Sequence, residues 1–300
     1  MPEGPIFYSV VVPMLNEERW IGAFLQAMRA QTLPRDRFEL IVVDNDSTDD
    51  SVEIVEREGQ ATLLTEPRRD PYLARNRGIA AAKGSYIVFF DADCLPDADC
   101  LEQYDRHLSA TGDWIAMGYL AFARSQAVFL RRHEEYYDAK FRYLFGRPEL
   151  SRFYFGHGGN MVVARKVFDL VGDFQPMPVV GDTEILHRLL EKVPEAGIGY
   201  VPAARVHHAE IESFANYLLK LQEAGEHSKT CEGACGYRVL PGSLKAKIFA
   251  FCIWHYRYGP WRLLTGILAL SMGWVSFARG HQERQDGPGT PAPAKLRDSL

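Results

Sequence analysis

Residues 84–93 read GSYIVFFDAD, and this stretch decides the fold of the chain. Its centre, Tyr86 to Phe90, is continuously apolar rather than alternating, which is typical of a strand buried on both faces of a sheet. Asp91 and Asp93 follow at the end of this strand, where an open parallel sheet binds its ligands. We therefore expect a parallel sheet with an acidic site at its carboxyl edge.

Three more apolar runs precede this stretch, at Phe7 to Val12, Phe38 to Val43 and Ala61 to Thr65. Segments with helical periodicity separate them, and Asn16 stands where it would cap the first of these helices. A repeated strand, helix, strand order predicts an α/β fold with a parallel sheet and crossover helices.

The second half of the chain is less regular and shows no internal repeat. Its patterns predict further helices, one apolar run and a glycine cluster. These segments are a helix from about Asp97, an apolar run at Trp114 to Phe122, an amphipathic stretch at Gln126 to Phe145, glycines within 156–159, and helices at Arg165 to Val171 and Asp182 to Lys192.

The 300 residues are 47% hydrophobic and 24% charged, with a formal net charge of −5. This composition excludes intrinsic disorder and collagen-like or disulfide-dense scaffolds, and it gives no reason to expect a nucleic-acid partner. The five cysteines are odd in number and widely scattered, which favours a reducing compartment. Since Met1 to Ser9 lacks the pattern of a secretory signal, we expect the chemistry to take place on the cytoplasmic side.

Residues 233–282 differ from the rest because they contain six basic and no acidic residues, so this window carries +6 and the remainder −11. Within it, Leu263 to Ala278 is uncharged but reaches only about 24 Å as a helix, short of the ~30 Å hydrocarbon core. Flanking tryptophans and tyrosines favour helices that lie on an anionic membrane surface. A spanning helix, or helices packed on the body or in a homodimer, are the open alternatives.

The pair Asp91 and Asp93 has two interpretations. Two hard oxygen ligands at a strand end suit Mg²⁺ or Mn²⁺ shared with substrate phosphates. Alternatively, the aspartates cap a turn and the helix that starts near Asp97. Taken alone, the spacing does not separate these interpretations.

The pair is accompanied by four other motifs in a fixed order. Together they are VVPMLNE at 11–17, IVVDNDSTD at 41–49, ARNRGI at 74–79, GSYIVFFDAD at 84–93 and VGDTEI at 180–185. This succession resembles the family 2 glycosyltransferases, enzymes of the glycosyltransferase A fold that use nucleotide-sugar donors and mostly invert the transferred centre. The resemblance covers roughly residues 7–210 and implies a Rossmann-like, mostly parallel sheet with flanking helices and a C-terminal helical extension.

The resemblance implies roles for the first two motifs. Pro13, Asn16 and Glu17 match the family's first nucleotide-contacting loop. Asp44 matches the aspartate that accepts the imide N–H of the base, usually uracil, so a UDP-linked donor is implied. A mismatched base would leave that carboxylate unpaired, which gives selectivity.

Two motifs need comment. Where the family usually has a second aspartate and a glycine, this chain has Asn45 and Asp46, which leaves the geometry of that turn open. In the third motif, Arg75 resembles the basic residue near the diphosphate, where a fixed guanidinium offsets oxyanion charge. We favour Arg75 over Arg77 for this role.

The resemblance turns Asp91 and Asp93 into the metal and nucleotide-sugar motif for Mn²⁺ or Mg²⁺. A third ligand in the family is often a histidine after a late strand. His208 follows the strand expected at Gly199 to Pro202 at a family-like offset, and His207 is the alternative.

The resemblance also implies a catalytic base. Asp182 matches it, although Gly181 replaces the preceding acidic residue of the usual pair, and Glu184 is the alternative base. The base would take the proton from an acceptor hydroxyl. The glycine-rich segment at 156–161 resembles the floor of the sugar site, with Asn160 placed to bind nucleotide-sugar hydroxyls.

Together with the basic C-terminal window, the resemblance implies an inverting, metal-dependent glycosyltransferase. It would move a sugar from a nucleotide-sugar, UDP-linked, to a hydroxyl of a lipid-linked or polysaccharide acceptor at the inner face of the cell membrane. The expected organisation is a catalytic domain at 1–212, a basic and apolar helical region at 213–281 and a disordered tail at 282–300. A sugar-phosphate nucleotidyltransferase would have a basic, glycine-rich loop after the first strand, which Pro13 to Glu17 does not provide. A non-catalytic nucleotide-sugar-binding protein is the other alternative.

Overall fold

The structure is a computed structural model that describes residues 7–122, 127–175 and 180–283. Within these residues, eight strands form one sheet in the order β3-β2-β1-β4-β7-β6-β8-β5. The strands are β1 Tyr8–Met14, β2 Phe38–Asp44, β3 Thr62–Thr65, β4 Tyr86–Phe89, β5 Cys94–Pro96, β6 Ile115–Phe122, β7 Met161–Ala164 and β8 Ile198–His208. The helices are α1 Ile21–Arg29, α2 Ser51–Glu58, α3 Pro71–Ala81, α4 Cys100–Thr111, α5 Val128–Leu144, α6 Arg165–Val171, α7 Gly181–Lys192, α8 Phe214–Ala234, α9 Gly242–His255 and α10 Pro260–Glu283.

The first half of the chain forms the predicted parallel sheet. Strand β1 pairs in parallel with β2 and β4, and β2 pairs in parallel with β3. Side chains on both faces of β1 are buried, among them Val10, Val11 and Val12. Burial on both faces explains the continuous apolar runs, and all four predicted strands are confirmed.

The second half makes the sheet mixed. Strand β7 is antiparallel to β4 and β6, whereas β8 is parallel to β6 and antiparallel to β5. An irregularity in the β6–β8 register at Gly118 lets β8 continue past the expected end at Pro202 and through both histidines. Because Cys94 pairs with His208 in the β5–β8 register, the strand that follows the two aspartates lies beside the histidine.

The expectation that Asn16 caps the first helix is wrong. Helix α1 begins at Ile21, after a turn in which the backbone N–H groups of Trp20 and Ile21 donate to the Glu17 carbonyl. Asn16 has a positive φ of 53°, a conformation that asparagine tolerates better than most residues. Its side-chain oxygen accepts from the Thr48 N–H at 2.8 Å, so it ties the β1–α1 loop to the β2–α2 loop.

The C-terminal helices share the core of the body. Leu244, Ile248 and Leu270 belong to the same buried cluster as the central strands, so the predicted division at residue 212 does not coincide with a gap in packing. Helix α10 packs on α8 and α5. Residues 284–300, most of the predicted disordered tail, lie outside the described residues, as does Gln126 at the predicted start of α5.

Helix α10 has one buried and one exposed face. In the described part of the chain, it is long and apolar enough to cross a membrane, and a third of its 18-residue apolar window is buried. Ala269 and Leu270 face the body. Large apolar side chains are exposed on the other face and at the end of α9. This exposed apolar face comprises Trp254, Trp261, Leu264, Ile267, Leu268, Met272 and Val275.

We predict that the α8–α10 contact is destabilised by one methyl group. A Cβ at Gly225 would lie 2.1 Å from the Phe277 carbonyl oxygen, so Gly225→Ala should lower the free energy of unfolding by about 1 to 3 kcal/mol. Gly233→Ala on the same helix meets nothing within 4 Å and should be neutral or stabilising. Urea unfolding measures both, and equal effects would contradict the close contact.

Candidate active site

A cleft of about 290 Å³ opens at the carboxyl ends of β1 and β4. The sequence-predicted residues Pro13, Glu17, Asp91, Asp93 and His208 all line it. The other lining residues are Met14, Leu15, Asn45, Arg69, Pro71, Ala92, Glu210 and Lys220. This is the position expected for a ligand of an open α/β sheet.

The β2–α2 loop is held in a defined conformation beside this cleft. The Asp44 carboxylate accepts from the Ser47 N–H at 3.2 Å, and Asp44 is buried. The Asn45 amide donates to the Glu66 carbonyl at 2.8 Å, which fixes the β3–α3 loop. Asp46 adopts a positive φ of 71° where the family usually has glycine, and Arg69 donates to its carboxylate at 2.9 Å. These contacts explain how the chain builds the turn with Asn45 and Asp46.

Asp93, Cys94 and His208 form a compact group of metal-ligating side chains. Their ligand atoms all lie within 4.8 Å of one another, and His208 Nδ1 is 3.2 Å from an Asp93 oxygen. That nitrogen is buried and, among the described residues, has no hydrogen-bond partner of suitable geometry. Burial raises the pKa of the Asp93 carboxyl, which His208 opposes and Asp91 reinforces.

This group fits a divalent cation. A buried carboxylate and a buried ring nitrogen without a partner are a donor pair that Mn²⁺ or Mg²⁺ would satisfy. Burial holds the pKa of the Cys94 thiol well above its usual value, so the thiol stays neutral and is the weakest donor of the three. His207 points elsewhere, since its Nε2 lies 2.9 Å from Asp97.

Arg75 links the cleft to the expected base. It is 5% exposed on α3 and donates to the Asp91 carboxylate at 2.5 Å. It also lies over the Tyr72 ring, whose hydroxyl is 3.2 Å from Asp182. Arg77, by contrast, is exposed on the same helix.

Asp182 is buried in the first turn of α7. Burial raises the pKa of its carboxyl, and the Arg75 guanidinium counteracts the shift. A Cβ at Gly181 would lie 2.7 Å from the Tyr72 ring, so the ring occupies the space that an acidic side chain would need there. The alternative base Glu184 is paired with Arg188 at 2.9 Å instead.

The expectation that Asn160 binds sugar hydroxyls does not fit its position. The side chain is fully buried. Its amide nitrogen donates to the carbonyls of Tyr119 and Ala204, and its oxygen accepts from the Tyr104 hydroxyl at 2.8 Å. With these groups engaged in the core, Asn160 supports the sheet rather than facing the cleft.

Three residues at the site are not predicted from the sequence. Tyr72 contacts Asp182, and Lys220 with Glu210 lines the cleft, where their side chains are 2.6 Å apart. Lys220 stands on α8, so only the tertiary packing brings it to the cleft. No local motif marks it.

The sequence profile of glycosyl transferase family 2 matches residues 9–172. This chain belongs to that family. The match includes the cleft residues from Pro13 to Asp93 and the 156–161 segment. Asp182 and His208 lie beyond it.

Curated relatives match over shorter segments. Glycosyltransferase AglE of Haloferax volcanii is 35% identical over 121 residues, which is 39% of this chain and 40% of AglE. A Methanococcus voltae dolichyl N-acetyl-α-D-glucosaminyl phosphate 3-β-D-2,3-diacetamido-2,3-dideoxy-β-D-glucuronosyltransferase is 28% identical over 102 residues, 32% of each chain. The alignments therefore span less than half of these relatives.

Solved structures share the fold. The mannosyltransferase PcManGT of Pyrobaculum calidifontis, in complex with GDP-Man and Mn²⁺, gives a TM-score of 0.60 at 22% identity, over 91% of this chain and 76% of that one. Staphylococcus aureus TarS 1–349 in complex with UDP-GlcNAc gives 0.57 at 16% identity, over 93% and 82%. The expected glycosyltransferase A fold is confirmed.

We predict that the two neighbouring histidines differ in metal binding. His208→Ala should weaken Mn²⁺ binding in the presence of UDP at least tenfold, because it removes the nitrogen beside Asp93. His207→Ala is the matched control and should leave binding unchanged. Calorimetric titration with Mn²⁺ compares them, and a loss on His207→Ala alone would reverse the assignment.

Proposed function

We propose that this protein is an inverting glycosyltransferase. It would move a sugar from a nucleoside diphosphate, with UDP as the proposed nucleotide, to an acceptor hydroxyl. The observation that carries the proposal is the arrangement around Arg75. Its guanidinium contacts Asp91 in the donor cleft and acts on the charge of Asp182 in the neighbouring cavity. A donor and an acceptor would therefore meet beside one fixed cation.

The donor would occupy the cleft with its base toward Asp44 and its diphosphate toward Arg75 and Lys220. A divalent cation held by Asp93 and His208, with Asp91 adjacent, would offset the charge that develops on the leaving diphosphate. Arg75 provides a second, permanent positive charge at this point.

Asp182 would act as the general base. Its carboxylate would take the proton of the acceptor hydroxyl while the hydroxyl oxygen forms a bond to the anomeric carbon and the bond from that carbon to the diphosphate oxygen breaks. A single displacement of this kind inverts the anomeric centre. The raised pKa of the buried carboxyl makes it a stronger base than an exposed aspartate.

The names of two relatives and one surface of this chain support an acceptor held at a membrane. TarS of Staphylococcus aureus is named for poly(ribitol-phosphate), and the Methanococcus voltae relative is named for a dolichyl phosphate-linked sugar. In this chain, the exposed apolar face of α9 and α10 lies in a window of net charge +6. We propose that this face binds the anionic inner surface of the cell membrane, where a lipid-linked or polysaccharide acceptor is held.

Asp182→Asn tests the base. Transfer should fall by about 10³-fold or more, while binding of UDP with Mn²⁺ stays unchanged. Because burial raises the pKa of Asp182, its ionised form destabilises the fold at neutral pH. The variant should therefore have a Tm no lower than the parent protein, as measured by calorimetry.

Glu184→Gln is the matched control for that experiment. It should lower stability by breaking the pair with Arg188 but leave the chemical step nearly intact. Full transfer activity in Asp182→Asn would remove the assignment of the base.

A paired substitution tests the membrane surface. Trp254 and Trp261 are 72% and 68% exposed, so replacing both by alanine should weaken binding to phosphatidylglycerol vesicles about tenfold or more. Trp20→Ala, outside this face, should not change it. Co-sedimentation measures the binding, and a parent protein that ignores the vesicles or forms a dimer through these tryptophans would contradict the proposal.

A further inference from the structure

A second cavity is lined in part by Asp182, which is not among the residues that line the cleft described above. It has a volume of about 290 Å³, and residues of α5, α7, α8, α9 and α10 line it. Its wall is mainly apolar and aromatic. The aromatic members are Tyr136, Tyr137, Phe155, Tyr217, Tyr237, Trp274 and Phe277. We call it the α5–α10 cavity.

Two lysines in this apolar wall have no anionic partner among the residues that the structure describes. Lys140 extends over the Phe155 ring at 3.5 Å, and Lys245 lies 5.7 Å from the Trp274 ring. In the described part of the chain, neither side chain forms a hydrogen bond or ion pair. Asp182 is the only carboxylate among the lining residues. The cavity therefore concentrates positive charge in an apolar setting.

The apolar surroundings disfavour the charged form of Lys140. Burial lowers the pKa of Lys140 to about 7, and repulsion from Lys245 adds to the shift. The Tyr136 hydroxyl, in the same wall, is buried and has no hydrogen-bond partner among the described residues. An anion placed among these donors would satisfy groups that the protein leaves unmatched.

We propose that the α5–α10 cavity is the acceptor subsite and that it binds a lipid phosphate. The phosphate would pair with Lys140 and Lys245, and the apolar chain would lie along the aromatic wall. This inference rests on the proposed function, because it places the acceptor beside Asp182. It narrows the acceptor class from a lipid-linked or polysaccharide acceptor to a sugar carried on an anionic lipid.

The position of α10 supports the same occupant. Trp274 and Phe277 face the cavity, whereas Leu264, Leu268 and Val275 on the same helix are exposed. One helix therefore forms both the inner wall of the cavity and the apolar surface proposed to meet the membrane. A lipid chain could pass from the bilayer surface to the cavity along this helix with little exposure to water.

The test uses dodecyl phosphate below its micellar concentration as the probe, with dodecanol and inorganic phosphate as partial ligands. Calorimetric titration of the full chain should show that dodecyl phosphate binds at least tenfold more tightly than either. The double variant Lys140→Met and Lys245→Met should lose at least tenfold of that affinity and bind dodecanol as before. Lys247→Met, an exposed lysine on the same helix as Lys245, is the matched control and should bind normally.

UDP binding with Mn²⁺ separates the two proposals and also reports folding of each variant. If every protein binds UDP with Mn²⁺ but dodecyl phosphate binds no better than dodecanol, or equally well to the double variant, the acceptor inference is overturned and the proposed function stands. If the parent protein binds no nucleotide or nucleotide-sugar, the proposed function fails first. Tight binding of inorganic phosphate alone would mean an anion site without a lipid subsite, and it would also overturn the inference.

Discussion

Arg75 keeps its charge almost out of contact with water, and the two halves of the candidate site are organised around that charge. The guanidinium donates to Asp91, and it opposes the effect of burial on the pKa of Asp182. A Cβ at Gly158 would lie 2.6 Å from it, so the glycine segment leaves room for the side chain. Without Arg75, the buried Asp182 carboxylate would lose the positive charge that opposes the effect of its burial, and an uncompensated buried charge is strongly unfavourable.

Both halves of the sheet supply residues to the cleft. Parallel strands bring Pro13, Asp44 and Asp91 to one edge because their carboxyl ends coincide. The short strand β5 then turns back and pairs with β8, which delivers His208 to Asp93. The proposed donor cleft thus depends on an antiparallel pairing between segments more than 100 residues apart in the sequence. Helix α8 adds Lys220 from a third direction.

Local signals predicted what local physics determines. The apolar runs between Phe7 and Phe90 gave the four strands correctly, since their burial on both faces leaves a continuous pattern. The expected roles of Asn16 as a helix cap and Asn160 as a sugar ligand do not fit the structure. A side-chain amide can form hydrogen bonds with several kinds of group, so the residue type alone does not identify its partner. In Asn160 the partners are core carbonyls and a tyrosine, which no pattern of neighbouring residues reveals.

The sequence does not predict which charged side chains the packing of the helices brings together. Lys140 and Lys245 read as ordinary helical lysines, and only the packing of α5 against α9 and α10 places both in one cavity. The same packing gave the basic window two faces, one against the body and one toward solvent. The sequence left packing on the body, binding to a membrane surface and spanning the membrane as alternatives, and the structure shows that one face of these helices packs on the body. Such a helix can shape an acceptor cavity and also contact a membrane surface.

We propose above all that Asp93 and His208 hold a divalent cation for a nucleotide-sugar next to Arg75. Anomalous diffraction at the manganese edge, from crystals grown with Mn²⁺ and UDP, tests it most directly. We predict one strong peak between Asp93 and His208, with the diphosphate directed toward Arg75. A peak at Asp97 and His207, or UDP bound without an ion at Asp93, would contradict it.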